Sequence, residues 1–161
     1  MRTYFREEQR FRQPWLLAIL LLPCVPILYG AYQQLATDRK PGAALAVIPA
    51  IFVAFLIWFL SLKLVTEVRD EELYIKFVRL WPACRIPLDQ VRRAAALTYS
   101  PLFDYGGWGI RCGRKGMAYN VSGNRGVLLD LADGRSVLVG SQRAEELARA
   151  IEERRALLNF R

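Results

Sequence analysis

Side chains able to do chemistry are few in this chain, and their spacing does not favour it. None of the 161 residues is a histidine. That excludes an imidazole base in a serine or cysteine triad, the common zinc sites, and an axial imidazole for a haem or chlorin. Cys24, Cys84 and Cys112 are isolated, without any Cys-x-x-Cys, and read as small buried hydrophobes. Asp89, Asp104, Asp130 and Asp133 are scattered in turns or beside expected strands, with no spacing that argues for a general acid and base pair. Gly106-Gly107-Trp108-Gly109 lacks the six-residue dinucleotide pattern. Gly113-Arg114-Lys115-Gly116 lacks the Ser or Thr that follows a P-loop lysine, so both read as turns. Asn120-Val121-Ser122 matches a glycosylation acceptor, which a cytoplasmic bacterial site does not use. No catalytic, cofactor-binding or metal-binding residue is expected, and no enzyme.

What remains is recognition by aromatic and basic side chains on loops, where binding residues concentrate. Trp81, Tyr99, Phe103 and Tyr105 are the aromatic candidates, and Arg92, Arg93, Arg114 and Lys115 the basic ones. Trp81 and Trp108 read equally well as core fillers.

The elements that carry these residues begin with two uncharged apolar stretches, Pro14 to Tyr32 and Pro41 to Leu62, joined by a polar link from Gln33 to Lys40. Each is about 20 residues, enough at about 1.5 Å per residue to cross a hydrocarbon core. The expected architecture is a membrane α-helical hairpin over residues 14–62. Pro23 and Pro26 should kink the first span. A cleaved signal peptide competes for the first stretch, but a second span does not normally follow one at once. In the second, Gly42, Ala46, Ala50 and Ala54 lie at spacing four and read either as a face for packing another helix or as lipid-compatible filler.

Basic residues set the orientation. Arg2, Arg6, Arg10 and Arg12 precede the first span and Lys63, Arg69 and Lys76 follow the second, against Arg39 and Lys40 in the link. Both termini are expected in the cytoplasm of a bacterial inner membrane. The net charge of +8 is spread over the arm, the link and the part after Lys63. It fits this bias and attraction to anionic headgroups better than nucleic acid, which would want a dense basic stripe. In the arm, residues 1–13, Tyr4 and Phe11 are seven apart and Trp15 follows four later. The arm reads as an interfacial helix or as a frayed cytoplasmic tail.

After Lys63 the period becomes two. Leu64, Thr66 and Val68 alternate with Val65, Glu67 and Arg69; Asp70-Glu71-Glu72 turns the chain; Leu73, Ile75 and Phe77 alternate in the returning strand. Further strands are expected at Ala83 to Pro87, Val91 to Tyr99, Trp108 to Cys112, Met117 to Val121, Gly126 to Leu131 and Ser136 to Gly140. Asp133-Gly134 suggests a two-residue hairpin turn between the last two. Ser141 stands where a helix needs a cap, and the stripe Leu147, Ala148, Ile151 and Leu158 predicts a helix over 142–158. Residues 63–161 therefore read as a small β-sandwich or barrel closed by a terminal helix.

The segments TEVRDEELYIKF, RIPLDQV, YGGWGIR and GMAYNVSGNRGVLLDLADGRSVLVGSQRAEELARAIE resemble the bacterial pleckstrin-homology-like domains that follow two-helix anchors in uncharacterised prokaryotic proteins. The resemblance covers Lys63 to about Leu158. It rests on Ile86 to Asp89, the Gly106 to Gly109 turn and Val139 to Gln142, which determine turns and not a catalytic centre. It implies a seven-stranded bent antiparallel sheet with a C-terminal capping helix, and no activity. A related domain type occurs in membrane proteins that assist assembly of photosynthetic complexes. The expected role is a membrane-anchored accessory or assembly subunit that docks on other transmembrane subunits of a larger photosynthetic or respiratory complex. The alternative is a sensor of anionic lipid headgroups through Arg92, Arg93, Arg114 and Lys115.

Overall fold

A computed structural model describes residues 2–36, 44–113 and 116–159. The chain divides into two units, Phe11–Leu62 on the one hand and Met1–Arg10 with Lys63–Arg161 on the other.

The Phe11–Leu62 unit is helical. Helices α1 (Pro14–Leu21) and α2 (Cys24–Ala36) run almost continuously, broken where Pro23 lacks an N–H. There the hydrogen bonds tighten to three-residue steps, Leu22 N–H to the Ile19 carbonyl and Val25 N–H to the Leu22 carbonyl, both at 3.2 Å. Pro26 falls in the first turn of α2, where a proline is tolerated. The stretch Pro14–Gln34 is 21 residues, includes an 18-residue window with a mean hydropathy of 1.9, and has the length and composition to cross a membrane. Helix α3 (Ala44–Leu60) is apolar throughout, with Pro49 inside it, but its 17 residues fall short of a full span. Length and composition thus mark one crossing helix among the described residues where the sequence suggested two.

Among the described residues the second unit holds nine strands. A four-stranded sheet has the order β1-β2-β3-β4, formed by Thr3–Arg10, Lys63–Arg69, Glu72–Val78 and Cys84–Pro87. A five-stranded sheet has the order β5-β8-β9-β7-β6. In chain order its strands are β5 (Val91–Thr98), β6 (Gly109–Gly113), β7 (Gly116–Asn120), β8 (Arg125–Leu131) and β9 (Ser136–Gly140). A 3-10 turn at Leu88–Gln90 joins the sheets, and a short helix α4 (Pro101–Tyr105) follows β5. Helix α5 (Ala144–Asn159) packs on both sheets, burying Ala144, Leu147, Ala148 and Ile151.

Eight of these strands fall where alternation placed them; β1 does not. The arm is neither an interfacial helix nor a frayed tail. It pairs antiparallel with β2 from Thr3↔Arg69 to Arg10↔Lys63, so the helical unit is an insertion between two neighbouring strands. Alternation is present, with Phe5, Glu7 and Gln9 buried and Arg6, Glu8 and Arg10 exposed. Two of the three inward residues are polar, which hides the period from a hydropathy reading. With β1 in place, β2 is an inner strand buried on both faces from Leu64 to Val68.

Two further details depart from expectation. Strands β7 and β9 pair in parallel, within sheets otherwise antiparallel. Gly116 permits this approach, since a Cβ there would collide with the Ser136 carbonyl oxygen. The β8–β9 hairpin forms, but its loop is Ala132-Asp133-Gly134 and not a two-residue turn. The Gly134 N–H bonds the Leu131 carbonyl at 3.1 Å, and Leu131 N–H the Arg135 carbonyl at 2.9 Å. Of the loop residues only Gly134 has a positive φ, +85°, giving the three-residue hairpin with a left-handed glycine.

Strand β1 contributes Phe5, 6% exposed, with the Arg143 guanidinium 4.7 Å from its ring centre. Truncating such a side chain leaves a cavity costing about 3 to 5 kcal/mol. Phe5→Ala should lower the melting temperature of the β domain in detergent by many degrees, a change that a frayed tail would not produce.

Candidate functional site

The interaction residues expected from sequence divide into two groups. Trp81 and Phe103 are 57% and 93% exposed, each beside a second exposed apolar residue, Leu80 and Leu102. Tyr99 and Tyr105 are buried instead, and they are core. Their rings meet edge to face at 5.9 Å, packed with Ala118 and Leu138. The Tyr99 hydroxyl accepts from Asn120 Nδ2 at 3.0 Å, and Asn120 Oδ1 accepts the Gly109 N–H at 2.9 Å, which fastens the Gly-rich turn to the sheet. Burial pushes the Tyr99 phenol above its ordinary pKa, although the Asn120 bond acts the other way. Tyr119 is raised too, first by burial and then by its hydrogen bond with Cys84. Both phenols stay protonated at neutral pH.

Trp108 is half-buried and donates its indole N–H to the Gly123 carbonyl at 3.1 Å. Arg92 and Arg93 are exposed on β5, where a bulge between Val91 and Arg93 breaks the pairing with β8. The edge they decorate is closed by α5. Glu152 accepts the Ala94 N–H at 2.7 Å, and Arg155 donates to the carbonyls of Val91 and Arg92. An outside strand would have to displace those side chains to pair there. Arg114 and Lys115 lie outside the described residues, as does Gly42; for Ala46 only the backbone is described. Ala50 and Ala54 are exposed on α3. Between α2 and α3 lies a cleft of about 280 Å³ lined by Pro26, Ile27, Gly30, Ala31, Gln34, Ile48 and Pro49. On the α3 side this cleft is lined by Ile48 and Pro49, and Ala50 and Ala54 are not part of it.

Reactive groups do not converge. Among the described residues no three His, Cys, Asp or Glu side chains are placed to hold a metal ion, and Cys24, Cys84 and Cys112 are free thiols.

A polar link that the sequence did not announce joins β1 to the start of α5. The buried Glu7 carboxylate accepts from Ser141 Oγ at 2.5 Å and from the Gln142 backbone N–H at 2.9 Å. Gln9 Nε2 donates to the Gly140 carbonyl at 2.8 Å. Ser141 Oγ in turn accepts the Arg143 N–H at 3.0 Å, so the serine expected as a cap bonds a helix-entry amide and is itself held by the arm. A Glu and a Ser at opposite ends of the chain give no local signal. On the outer face Glu8 bonds Arg6 at 2.6 Å and Lys63 at 2.9 Å.

No protein-family model matches the chain, and no curated protein matches it.

Two measurements check these contacts. Glu7→Ala removes the acceptor of two hydrogen bonds, one of them from a buried hydroxyl, and should cost about 1.5 to 3 kcal/mol by urea unfolding. Ser141→Ala in the same background should then add less than it costs alone. Glu8 is held down at about 2 from an ordinary 4.5, first by its hydrogen bond with Arg6 and then by Lys63. Folding therefore favours its ionised form. Its contribution is full above pH 4.5 and is lost as pH falls through about 2, so Glu8→Gln should flatten part of the acid limb of the melting curve in that window.

Proposed function

We propose that this chain is a non-catalytic, membrane-anchored accessory or assembly subunit that docks on a larger complex of transmembrane proteins and stabilises it. Its apolar unit is a two-span hairpin in a bacterial inner membrane. The β domain and both termini are on the cytoplasmic side, and the domain is a relative of the pleckstrin-homology-like type. The complex is of the photosynthetic or respiratory kind.

The observation that carries the reading is the pairing of Arg10 with Lys63. A sheet cannot be divided by a bilayer, because its backbone groups need partners that hydrocarbon does not supply. Both ends of Phe11–Leu62 are therefore on one side of any membrane, and the segment crosses an even number of times. If Pro14–Gln34 crosses, the return falls to α3, which the uncharged residues Pro41 to Ala43 before it and Ser61 and Leu62 after it extend in sequence. The same pairing speaks against a cleaved signal sequence, since cleavage would remove β1 with the buried Phe5 and Glu7. Helices apolar all round and as exposed as α1 to α3 need lipid or other helices around them. Exposed Ala50 and Ala54 leave room for a neighbouring helix at close range.

A membrane-impermeant maleimide applied to intact cells should label a cysteine introduced between Thr37 and Lys40 and spare Gly134→Cys, both in a chain whose native cysteines are replaced; the reverse pattern overturns the topology. Purified in mild detergent, the chain should bring stoichiometric transmembrane companions. Ala50→Leu with Ala54→Leu should release it from them while the β domain stays folded. Purification alone, at full yield and without companions, would refute the role in a complex.

A further inference from the structure

Register in the four-stranded sheet fixes which of its loops lies beside the points where the apolar helices join. Arg10 pairs with Lys63, and Lys63 pairs on its other side with Val78. The chain leaves for the helices after Arg10 and returns at Lys63, so the β3–β4 connection, which starts at Val78, hangs from the same end of the sheet. That connection is unusual in its backbone. Arg79 has φ +67°, the one positive φ at a non-glycine among the described residues, a conformation that an arginine adopts only at a cost. The turn is closed by the Leu80 and Trp81 N–H groups, both donating to the Phe77 carbonyl at 3.3 and 3.2 Å. It leaves Leu80 42% and Trp81 57% exposed, followed by Pro82. A strained, tightly tied turn thus presents two large apolar side chains to the outside.

The opposite end of the same sheet has another character. The β2–β3 turn is Asp70-Glu71, followed by Glu72 at the start of β3, with Asp70 bonded by the Tyr4 hydroxyl and the Arg2 N–H. At about 3.3 Å per residue along the strands, Glu71 is about 20 Å from the Lys63 end. One end of the sheet therefore carries Asp70, Glu71 and Glu72, partly paired with Arg69 and Arg154, and the other carries Arg10, Lys63, which is paired with Glu8, and Arg79 on the turn that exposes a tryptophan and a leucine. Tryptophan with flanking Lys and Arg is the composition favoured at the lipid–water boundary, where the ring sits at headgroup level and cations meet anionic lipid. Leu102 and Phe103 are exposed as well, but no strand register ties α4 to Arg10 and Lys63.

We propose that the Arg79–Pro82 turn is a membrane-contact element that inserts Leu80 and Trp81 into the headgroup region of the bilayer that holds the apolar helices. The proposal rests on the reading of those helices as membrane-spanning. It assigns the turn a lipid surface as partner. The turn holds the β domain down as a third point of attachment beside the two helix connections. A protein partner at this turn is the competing occupant.

The test uses the full chain, with its three native cysteines replaced, in vesicles of phosphatidylcholine with a minority of phosphatidylglycerol. A nitroxide is placed at Leu80→Cys, at Glu71→Cys or at Leu28→Cys. Relaxation by oxygen should exceed relaxation by an aqueous nickel chelate at positions 80 and 28, and the order should be inverted at 71. Adding Trp81→Ser to the Leu80→Cys chain should move the label at 80 towards water without moving the one at 28. Arg79→Gly, which removes the strain and one cation but keeps the turn, should move the label at 80 less than Trp81→Ser does. If position 28 is in hydrocarbon and position 80 is as wet as 71, the contact is overturned while the membrane reading stands. If position 28 is itself in water, the membrane reading fails first. A label at 80 that is wet in pure lipid but immobile in native membranes would assign the turn to a protein and overturn the lipid contact.

Discussion

The structure depends on one ladder, that between β1 and β2. It ties the first strand of the chain to a strand separated from it in sequence by helices α1 to α3. Remove it, and β2 becomes an edge strand, while α5 loses the carboxylate that receives its entry. Each of these follows from the same short strand. Burial of Glu7 is tolerated because the α5 entry supplies it with hydrogen-bond donors, and an unpaired carboxylate in that place would be costly.

The ladder also orders events in time. During synthesis β1 emerges first, yet its partner arrives only after the apolar unit is complete, so the contact carries a large loop-closure cost. Local pairs such as β2–β3 and β8–β9 can form as soon as they are made; β1 must wait. The ion pairs among Arg6, Glu8, Lys63, Glu67 and Arg69 then support the register, since a slip by one residue would part Arg6 from Glu67 and turn Phe5 out of the core.

Strands from Lys63 onward were legible because apolar and polar residues alternate in them and Gly, Asn and Asp mark their ends. The terminal helix was legible from Ser141 and its apolar stripe. The arm was not, because its inward side chains include Glu7 and Gln9, whose partners Ser141 and Gly140 lie at the other end of the sequence. Tyr99 and Tyr105 were mistaken for surface residues for a related reason. They flank the exposed Leu102 and Phe103 on a short helix, and loop composition does not show that two rings fold back on each other while the two between them face out. Trp81, which the sequence left open between a surface contact and a core filler, is exposed. What the residues alone could not show was that strand register sets it level with Arg10 and Lys63.

Because Arg10 and Lys63 face one another across a regular antiparallel ladder, the whole stretch between them is dispensable to the geometry of the sheet. A cut before Lys63 would yield a fragment with a raw hydrophobic edge, prone to pair with its own kind. Splicing Arg10 to Lys63 through a two-residue Asn-Gly turn would instead keep every strand and discard every apolar helix. The helical unit sits where a hairpin loop would ordinarily be, so the β half of this protein can be excised as a continuous domain without leaving a seam.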